Sequence, residues 1–336
     1  MRALAATRIA LVGEIDFSEY CLHELIACRA NVVAVLNPGP TAARINHDYA
    51  DLGPIARQAG IPFYRIGRMS DEATIDRVRR LAPDVIFVFG LSQLIPKDVL
   101  SIPIGGCIGT HPALLPRNRG RHPLIWALVE GLEESGLTFF YLDEGVDTGD
   151  VVWQARFHIG PDDDAGTLYT KVKHLAREGI CELLPRIERG TIERRPQDHA
   201  VATYWRKRTE VDGEIVWDST VRAHNLIRAL TRPYPGAHTY FNGAKVRVWR
   251  SRVAELAQRA HRDHGGEVIG KSAGGVAVQC GDGVLQLTEV EGVGIDDLAI
   301  GTRFGGVASS PAATRCGCSR SLPIRTTRHS DAVERC

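Results

Sequence analysis

Apolar runs alternate with amphipathic segments along the first 90 residues of the chain. Four mainly apolar runs predict buried strands, at residues 7–12, 31–36, 61–64 and 84–89. Three segments between them have apolar residues at helical spacing, at residues 17–29, 51–58 and 71–81. Apolar strands that alternate with helices are typical of a parallel sheet covered on both faces. The pattern therefore predicts an α/β fold with a Rossmann-like, doubly wound and mostly parallel sheet.

The second half of the chain has a different pattern. A strand at 138–142, an antiparallel strand at 151–159 and a long helix at 165–188 complete the first unit. From residue 196 onward, short apolar runs separated by Gly, Asn and Asp predict a small β-barrel. Its predicted strands are 199–206, 215–217, 237–241, 246–249, 267–269, 276–279 and 284–290, with a helix at 220–230.

Residues 305–336 have few apolar side chains and many Ser, Thr and Arg, which predicts a disordered tail. The expected organisation is therefore an α/β domain at 1–195, a β-barrel domain at 196–304 and a tail at 305–336. A length of 336 residues agrees with two domains.

Composition narrows the class of protein. A hydrophobic content of 44% and a charged content of 24% are ordinary for a globular protein. A formal net charge of +1 gives no electrostatic argument for a protein that wraps nucleic acid. There is no apolar run of about 20 residues and no signal peptide, so we expect a cytoplasmic protein without a membrane span. The eight cysteines have no zinc-site spacing, so we predict no metal.

Two loops are expected at the carboxyl ends of the parallel strands, where open α/β sheets bind ligands. One is 90–96, after the fourth strand, and the other begins at His111. Gly13 is followed by no second or third glycine of the dinucleotide-binding fingerprint, which argues against NAD. The ligand site therefore needs another explanation.

His111 and the segment DEGVDTGD at 143–150 suggest acid–base chemistry. Histidine changes its charge near neutral pH, and a neighbouring carboxylate orients its ring and favours its protonated form. His111 with Asp147 is therefore a candidate catalytic pair. Alone, each motif is more typical of a structural histidine and a solvated turn.

Taken together, HPALLPRNRG at 111–120 and DEGVDTGD at 143–150 resemble motifs of the formyl-tetrahydrofolate-dependent formyltransferases. The resemblance extends from about residue 7 to 300. It implies that residues 1–195 are the catalytic domain and that the C-terminal domain is a small open β-barrel, similar to an OB fold. It implies an N-formyltransferase that uses 10-formyltetrahydrofolate as its formyl donor, with His111 as proton shuttle and Asp147 as its partner. It also implies a pterin pocket lined by Gln93, Leu94, Ile95, Asp143, Glu144, Gly145 and Val146.

The arginines 117, 119 and 121 form a charge run at the expected site entrance, where guanidinium groups could hold phosphate or a donor carboxylate. Arg121 matches a donor-contacting position in the sugar-modifying branch of the family. One departure concerns catalysis directly. Gly109 stands where the family usually has an Asn that helps to bind the oxyanion, so another donor is needed, and Asn118 is our first candidate.

Three functions remain open. RGRHPLIWAL at 119–128 resembles the sugar-modifying branch, so the leading interpretation is N-formylation of a nucleotide-linked amino sugar in glycan or lipopolysaccharide synthesis. The first alternative is methionyl-tRNA formylation, although the net charge makes nucleic acid the weaker expectation. The second is a catalytically weakened folate- or nucleotide-binding homologue. A homodimer is compatible with all three.

Overall fold

The computed structural model describes residues 7–39, 48–254, 265–272 and 274–305. In chain order its strands are β1 Ile9–Gly13, β2 Val32–Pro38, β3 Phe63–Ile66, β4 Val85–Phe89, β5 Cys107–His111, β6 Arg119–Gly120, β7 Glu134–Tyr141, β8 Val151–His158, β9 Tyr204–Trp205, β10 Ala237–Phe241, β11 Ala244–Val253, β12 Val268–Ser272, β13 Gly275–Gln279 and β14 Val284–Glu291. Its helices are α1 Asp16–Ala27, α2 Gly53–Gln58, α3 Glu72–Leu81, α4 Lys97–Leu100, α5 Pro123–Val129, α6 Ala165–Arg189 and α7 Thr220–Leu230.

The larger sheet has seven strands in the order β3-β2-β1-β4-β5-β7-β8. Strands β1 to β5 pair in parallel, and β7 and β8 are antiparallel to their neighbours. Residues of α1, α5 and α6 pack on one face, and residues of α3 and α4 pack on the other. Every residue of β1 and β4 is buried, because both faces of the sheet are covered. The predicted α/β fold is confirmed.

The second sheet is antiparallel and has five strands in the order β10-β11-β14-β13-β12. It confirms the prediction of a β-rich region in the second half of the chain. Two predicted strands are wrong. Residues 199–206 form a turn followed by β9, which pairs with β6 rather than with the barrel strands. Residues 215–217 form no strand, because Ile215 and Trp217 are buried by side-chain packing while their backbone makes only isolated contacts.

The long predicted helix is present as α6, and its ends follow from the sequence. The Asp164 carboxylate accepts a hydrogen bond from the Thr167 amide at the N-terminus, as a capping residue should. Gly190 ends the helix with φ +64°, a conformation that glycine adopts without strain. Asp163 instead forms an ion pair with Lys171. Both aspartates therefore stabilise the first turns of the helix.

The direction in which strands are added to the sheet reverses between β1 and β4. From β1 the chain adds β2 and β3 on one side, and then β4 and β5 on the other. In sheets of this type ligands bind beyond the carboxyl ends of the strands at that point. Glu14 follows β1, the 90–96 loop follows β4, and His111 ends β5. The topology therefore brings these three segments to one edge of the sheet.

The predicted disordered tail covers residues 305–336, of which all but Gly305 lie outside the described residues. Gly305 itself is attached to the body, since its amide donates to the Tyr240 carbonyl at 3.0 Å.

Candidate active site

His111 is the last residue of β5, and its side chain is only 5% exposed. It lies opposite Thr138 of β7. The loop that follows is fixed by two polar side chains of the antiparallel strands. The Thr138 hydroxyl donates to the Ala113 carbonyl at 2.7 Å, and the Gln154 amide donates to the Leu115 carbonyl at 2.9 Å. His111 thus lies at the end of a paired strand, and the loop that follows it is fixed by hydrogen bonds from β7 and β8.

Each ring nitrogen of His111 faces an acceptor. Nδ1 lies 3.5 Å from Oδ2 of Asp147, and Nε2 lies 2.7 Å from the Asn118 carbonyl oxygen. A carbonyl only accepts, so Nε2 carries a proton in this arrangement. The distance of 3.5 Å to Asp147 is long for a hydrogen bond, so the carboxylate acts on the ring mainly as a nearby charge. The structure brings the two predicted catalytic residues together.

Asp147 is held in an uncommon backbone conformation. Its φ is +54°, which non-glycine residues rarely adopt. Its Oδ2 accepts a hydrogen bond of 2.8 Å from the Gly120 amide, so the carboxylate is anchored to the loop that follows His111. The side chain is 19% exposed. The carboxylate is therefore oriented by the protein and still reachable from solvent.

The aspartate-rich loop is shaped by its own hydrogen bonds. Oδ1 of Asp143 accepts from the Gly145 amide at 3.0 Å and from the Thr148 hydroxyl at 2.6 Å. A Cβ at Gly145 would collide with Thr148, so glycine is needed there. Asp143, Glu144, Gly145 and Val146 are exposed. The loop therefore presents backbone and side chains outward, as a binding rim would.

The other predicted pterin segment lies beside this loop. Lys97, two residues past Ile95, forms an ion pair of 2.8 Å with Glu144. Gln93 is occupied within the protein, because its Oε1 accepts from the Met69 amide at 3.0 Å. Leu94 is 69% exposed, whereas Ile95 packs on the core. The two segments thus meet at one edge, where Leu94 and Val146 each expose an apolar side chain to a ligand.

The three arginines of the charge run differ in environment. Arg117 and Arg121 are exposed, and Arg121 donates to the Ser92 carbonyl at 3.4 Å. Arg119 is fully buried and binds Gln197, so the structure contradicts a role for it in holding a ligand phosphate or carboxylate. The side chain of Arg119 points inward because β6 pairs with β9.

Gly109 is covered by a leucine. A Cβ built on Gly109 would lie 2.6 Å from one methyl carbon of Leu142 and 3.2 Å from its Cγ. The space that an Asn side chain would need is therefore filled. The backbone carbonyl of Asn118 faces His111. The side-chain Oδ1 of Asn118 accepts a hydrogen bond from the Thr203 hydroxyl at 3.1 Å.

Sequence reasoning missed several residues of this site. Glu14 is only 1% exposed, and its Oε1 accepts from the Ser92 amide at 2.8 Å. Its position directly after β1 was a usable signal, because ligands bind beyond strand ends. Leu142 and Gln197 had no such signal, since each matters only through a residue distant in sequence.

Two regions of the chain match family models. Residues 13–184 match "Formyl transferase", and residues 207–300 match "Formyl transferase, C-terminal domain". The chain belongs to the formyl transferase family. It is a formyltransferase enzyme, and the family is folate-dependent.

Curated relatives match over nearly their full length. The methionyl-tRNA formyltransferase of Geobacter sulfurreducens is 32% identical over 317 residues, which are 94% of this chain and 98% of that protein. The methionyl-tRNA formyltransferase of Clostridioides difficile is 32% identical over 288 residues, covering 84% and 92%.

Solved structures share the fold at lower identity. WlaRD, a sugar 3N-formyl transferase, has a TM-score of 0.61 at 17% identity, covering 84% of this chain and 97% of that one. HypX from Aquifex aeolicus, solved with tetrahydrofolic acid, has a TM-score of 0.61 at 19% identity, covering 84% and 44%.

Within the described residues, no group of three or more His, Cys, Asp or Glu side chains could hold a metal ion. The described helices include none that is long and apolar enough to span a bilayer.

Proposed function

We propose that this enzyme transfers the formyl group of 10-formyltetrahydrofolate to the amino group of methionyl-tRNA. The observation that carries the proposal is the match to methionyl-tRNA formyltransferases over 94% of this chain at 32% identity, which includes the C-terminal region. This replaces amino-sugar formylation as the leading interpretation.

The charge distribution around the candidate site supports a polyanionic acceptor. Residues 193–208, which join α6 to the second unit, contain five Lys or Arg and two Asp or Glu. This linker packs against the loop after His111 through β6 and β9. Arg194, Arg195 and Lys207 on it are exposed. A chain of nearly neutral overall charge thus has a local excess of positive charge beside its active site, which suits contact with phosphates.

The chemistry needs three tasks: removing a proton from the attacking amine, stabilising the developing oxyanion, and returning a proton to the leaving nitrogen. We assign the proton transfers to His111, with Asp147 stabilising its charged ring. The Nε2–H must leave the Asn118 carbonyl before it can reach a substrate atom. The donor supplies the formyl group, and the exposed Leu94 with the rim 143–146 fits a flat amide-like ring.

The catalytic assignment is tested by His111→Ala and Asp147→Asn. We expect His111→Ala to lower kcat by about 10²–10⁴-fold, the usual contribution of a general acid–base group, and Asp147→Asn to lower it strongly. His158→Ala is the matched control, because His158 is an exposed histidine at the end of β8. A His111→Ala enzyme with near-normal turnover would refute the assignment.

The acceptor is tested by offering charged initiator tRNA and a panel of nucleotide-linked 3-amino and 4-amino sugars. We expect formylation of the tRNA, with a KM that rises steeply with salt. Charge reversal at Arg195 and Lys207 should raise the KM for tRNA. Reversal at Arg250, which is paired with Glu289, is the control. Formylation of a sugar without formylation of tRNA would overturn the proposal.

Amino-sugar formylation remains the second candidate, for a specific reason. A continuous basic face on the barrel would favour tRNA, yet three of the cations of β11, Lys245, Arg247 and Arg250, are paired with acids. Arg247 pairs with Glu291 at 3.1 Å, and Arg250 lies 3.4 Å from Glu289. WlaRD, a structural neighbour, is a sugar 3N-formyl transferase.

We also propose the domain division at residues 195 and 196. The family matches end at 184 and begin again at 207, which supports a boundary within the linker between them. The β6–β9 pairing means that this linker belongs structurally to the active site of the first unit.

A further inference from the structure

Arg119 is a buried cation held by neutral partners. Its side chain is 0% exposed. Nε and Nη2 donate to Oε1 of Gln197 at 3.2 and 2.7 Å, and Nη1 donates to the Tyr204 hydroxyl at 2.7 Å. Nη2 also lies 3.3 Å from Nδ1 of His199. A buried guanidinium is costly unless its donors are used, so a cluster built around one has to be precisely arranged.

This cluster fixes the orientation of the Gln197 amide. A guanidinium has no acceptor, so the oxygen of Gln197 must face Arg119 and the nitrogen must point away. That nitrogen donates to the Asp147 carbonyl at 2.9 Å and to the Gly149 carbonyl at 2.6 Å. By orienting the Gln197 side chain, Arg119 therefore determines the hydrogen-bond donor of the Asp147 and Gly149 carbonyls.

Asp147 is thereby held from two directions. Its carbonyl is fixed by Gln197, and its carboxylate is fixed by the amide of Gly120, the residue after Arg119. A non-glycine residue with φ +54° needs such support, because the conformation is disfavoured by itself. The direction in which the carboxylate faces His111 depends on that backbone conformation.

We propose that Gln197 and Arg119 are positioning residues that hold Asp147 in its working orientation toward His111. The proposal rests on the catalytic pair assigned above. It makes the linker a functional part of the active site, since Gln197 lies between α6 and β9 and is 7% exposed. Removing the Gln197 amide should leave the donor-binding segments intact and misplace the carboxylate.

The primary test is Gln197→Met, which keeps the length of the side chain and removes its donor and acceptor. Gln197→Glu is the second variant, because it can still accept from Arg119 but cannot donate to the two carbonyls. Gln279→Met is the matched control. Gln279 is 8% exposed, lies on β13, and donates to the Cys280 and Gly283 carbonyls at 2.6 and 2.8 Å.

We expect both Gln197 variants to lower kcat by about 10–100-fold, the usual effect of losing a group that orients a catalytic residue. The KM for the folate donor should stay within about 3-fold in the same variants. Gln279→Met should lower the melting temperature without changing kcat. Gln197 variants with kcat within 2-fold of wild type, or with losses no greater than that of Gln279→Met, would overturn the proposal.

A second readout is independent of the acceptor and of turnover. The ring nitrogens of His111 can be observed by NMR in ligand-free protein labelled with ¹⁵N-histidine, with the signals assigned by His111→Ala. We expect the Nδ1 signal to move in both Gln197 variants and to stay in place in Gln279→Met. Unchanged signals in the Gln197 variants would refute positioning. Moved signals together with full activity of His111→Ala would instead refute the catalytic assignment.

Discussion

The substitution Gly109→Asn tests whether the active site lacks a hydrogen-bond donor for the oxyanion, and whether there is space at position 109 for such a donor. Members of the resembled family usually carry Asn at this position. Here the first side-chain carbon would already lie 2.6 Å from a Leu142 methyl carbon. A Cβ essentially never approaches another carbon so closely, so Leu142 must move. The perturbation therefore combines crowding with the addition of a polar group, and the two effects have to be separated.

The structure sets the size of each effect. Leu142 packs between two apolar clusters, one that includes Cys107 and one formed by Leu115, Phe140 and Val151. Forcing extra atoms into such packing costs about 1–3 kcal/mol of folding free energy. A recovered oxyanion donor would raise kcat by about 10–100-fold. Gly109→Asn alone should therefore be less stable than wild type, with its gain in kcat masked by the displaced leucine.

The assay uses Gly109→Ala and Gly109→Asn, each with Leu142 and with Leu142→Ala. Alanine supplies the crowding without the donor, so it is the control for asparagine. We expect both single variants to lose stability in urea unfolding, and Leu142→Ala to relieve part of that loss. In the Leu142→Ala background, the ratio of kcat between the Asn and Ala variants isolates the value of the donor.

Two results would refute this reasoning. Single Gly109 variants as stable as wild type would show that Leu142 does not fill the space above Gly109. An Asn variant no faster than its Ala counterpart in the Leu142→Ala background would show that the oxyanion already has its donor. In that case Asn118→Ala should lower kcat, and its effect should shrink when Asn is present at 109.

Two further predictions concern stability. A chain ending at Gly305 should keep the melting temperature of the full chain. Phe304→Ala should instead lower the free energy of unfolding by about 3 kcal/mol, because Phe304 is 1% exposed and stacks on Trp217. Equal melting temperatures for the full-length protein and Phe304→Ala would contradict this prediction. Burial, with Arg121 and Arg208 nearby, lowers the pKa of His122 to about 4. In the unfolded chain His122 takes up a proton near pH 6.5, whereas in the folded protein it does so only near pH 4. The free energy of unfolding should therefore fall by about 1–3 kcal/mol as the pH is lowered from about 6.5 to about 4. Urea unfolding at both ends of that range should show a smaller loss in His122→Gln, and an equal loss would contradict the prediction.

The sequence by itself determined the fold class and the pairing of the two motifs. A parallel strand that is buried on both faces needs apolar residues at nearly every position. This pattern is visible in the sequence itself, in the runs at 31–36 and 84–89. The cap and end of α6 are also local, because each depends on residues within one turn. His111 and Asp147 were paired from their motifs, and the structure places them 3.5 Å apart.

Only the tertiary structure decided what surrounds that pair. Arg119 reads in the sequence as one of three exposed arginines, but it is buried because β9, 85 positions away, covers it. The sulfurs of Cys28 and Cys181 are 3.4 Å apart although 153 positions separate them. Leu142 fills the space above Gly109, and Gln197 holds the backbone of Asp147. Hydrophobic periodicity reports which face of an element is buried, but it does not report which distant side chain buries it, and the site is built from such distant contacts.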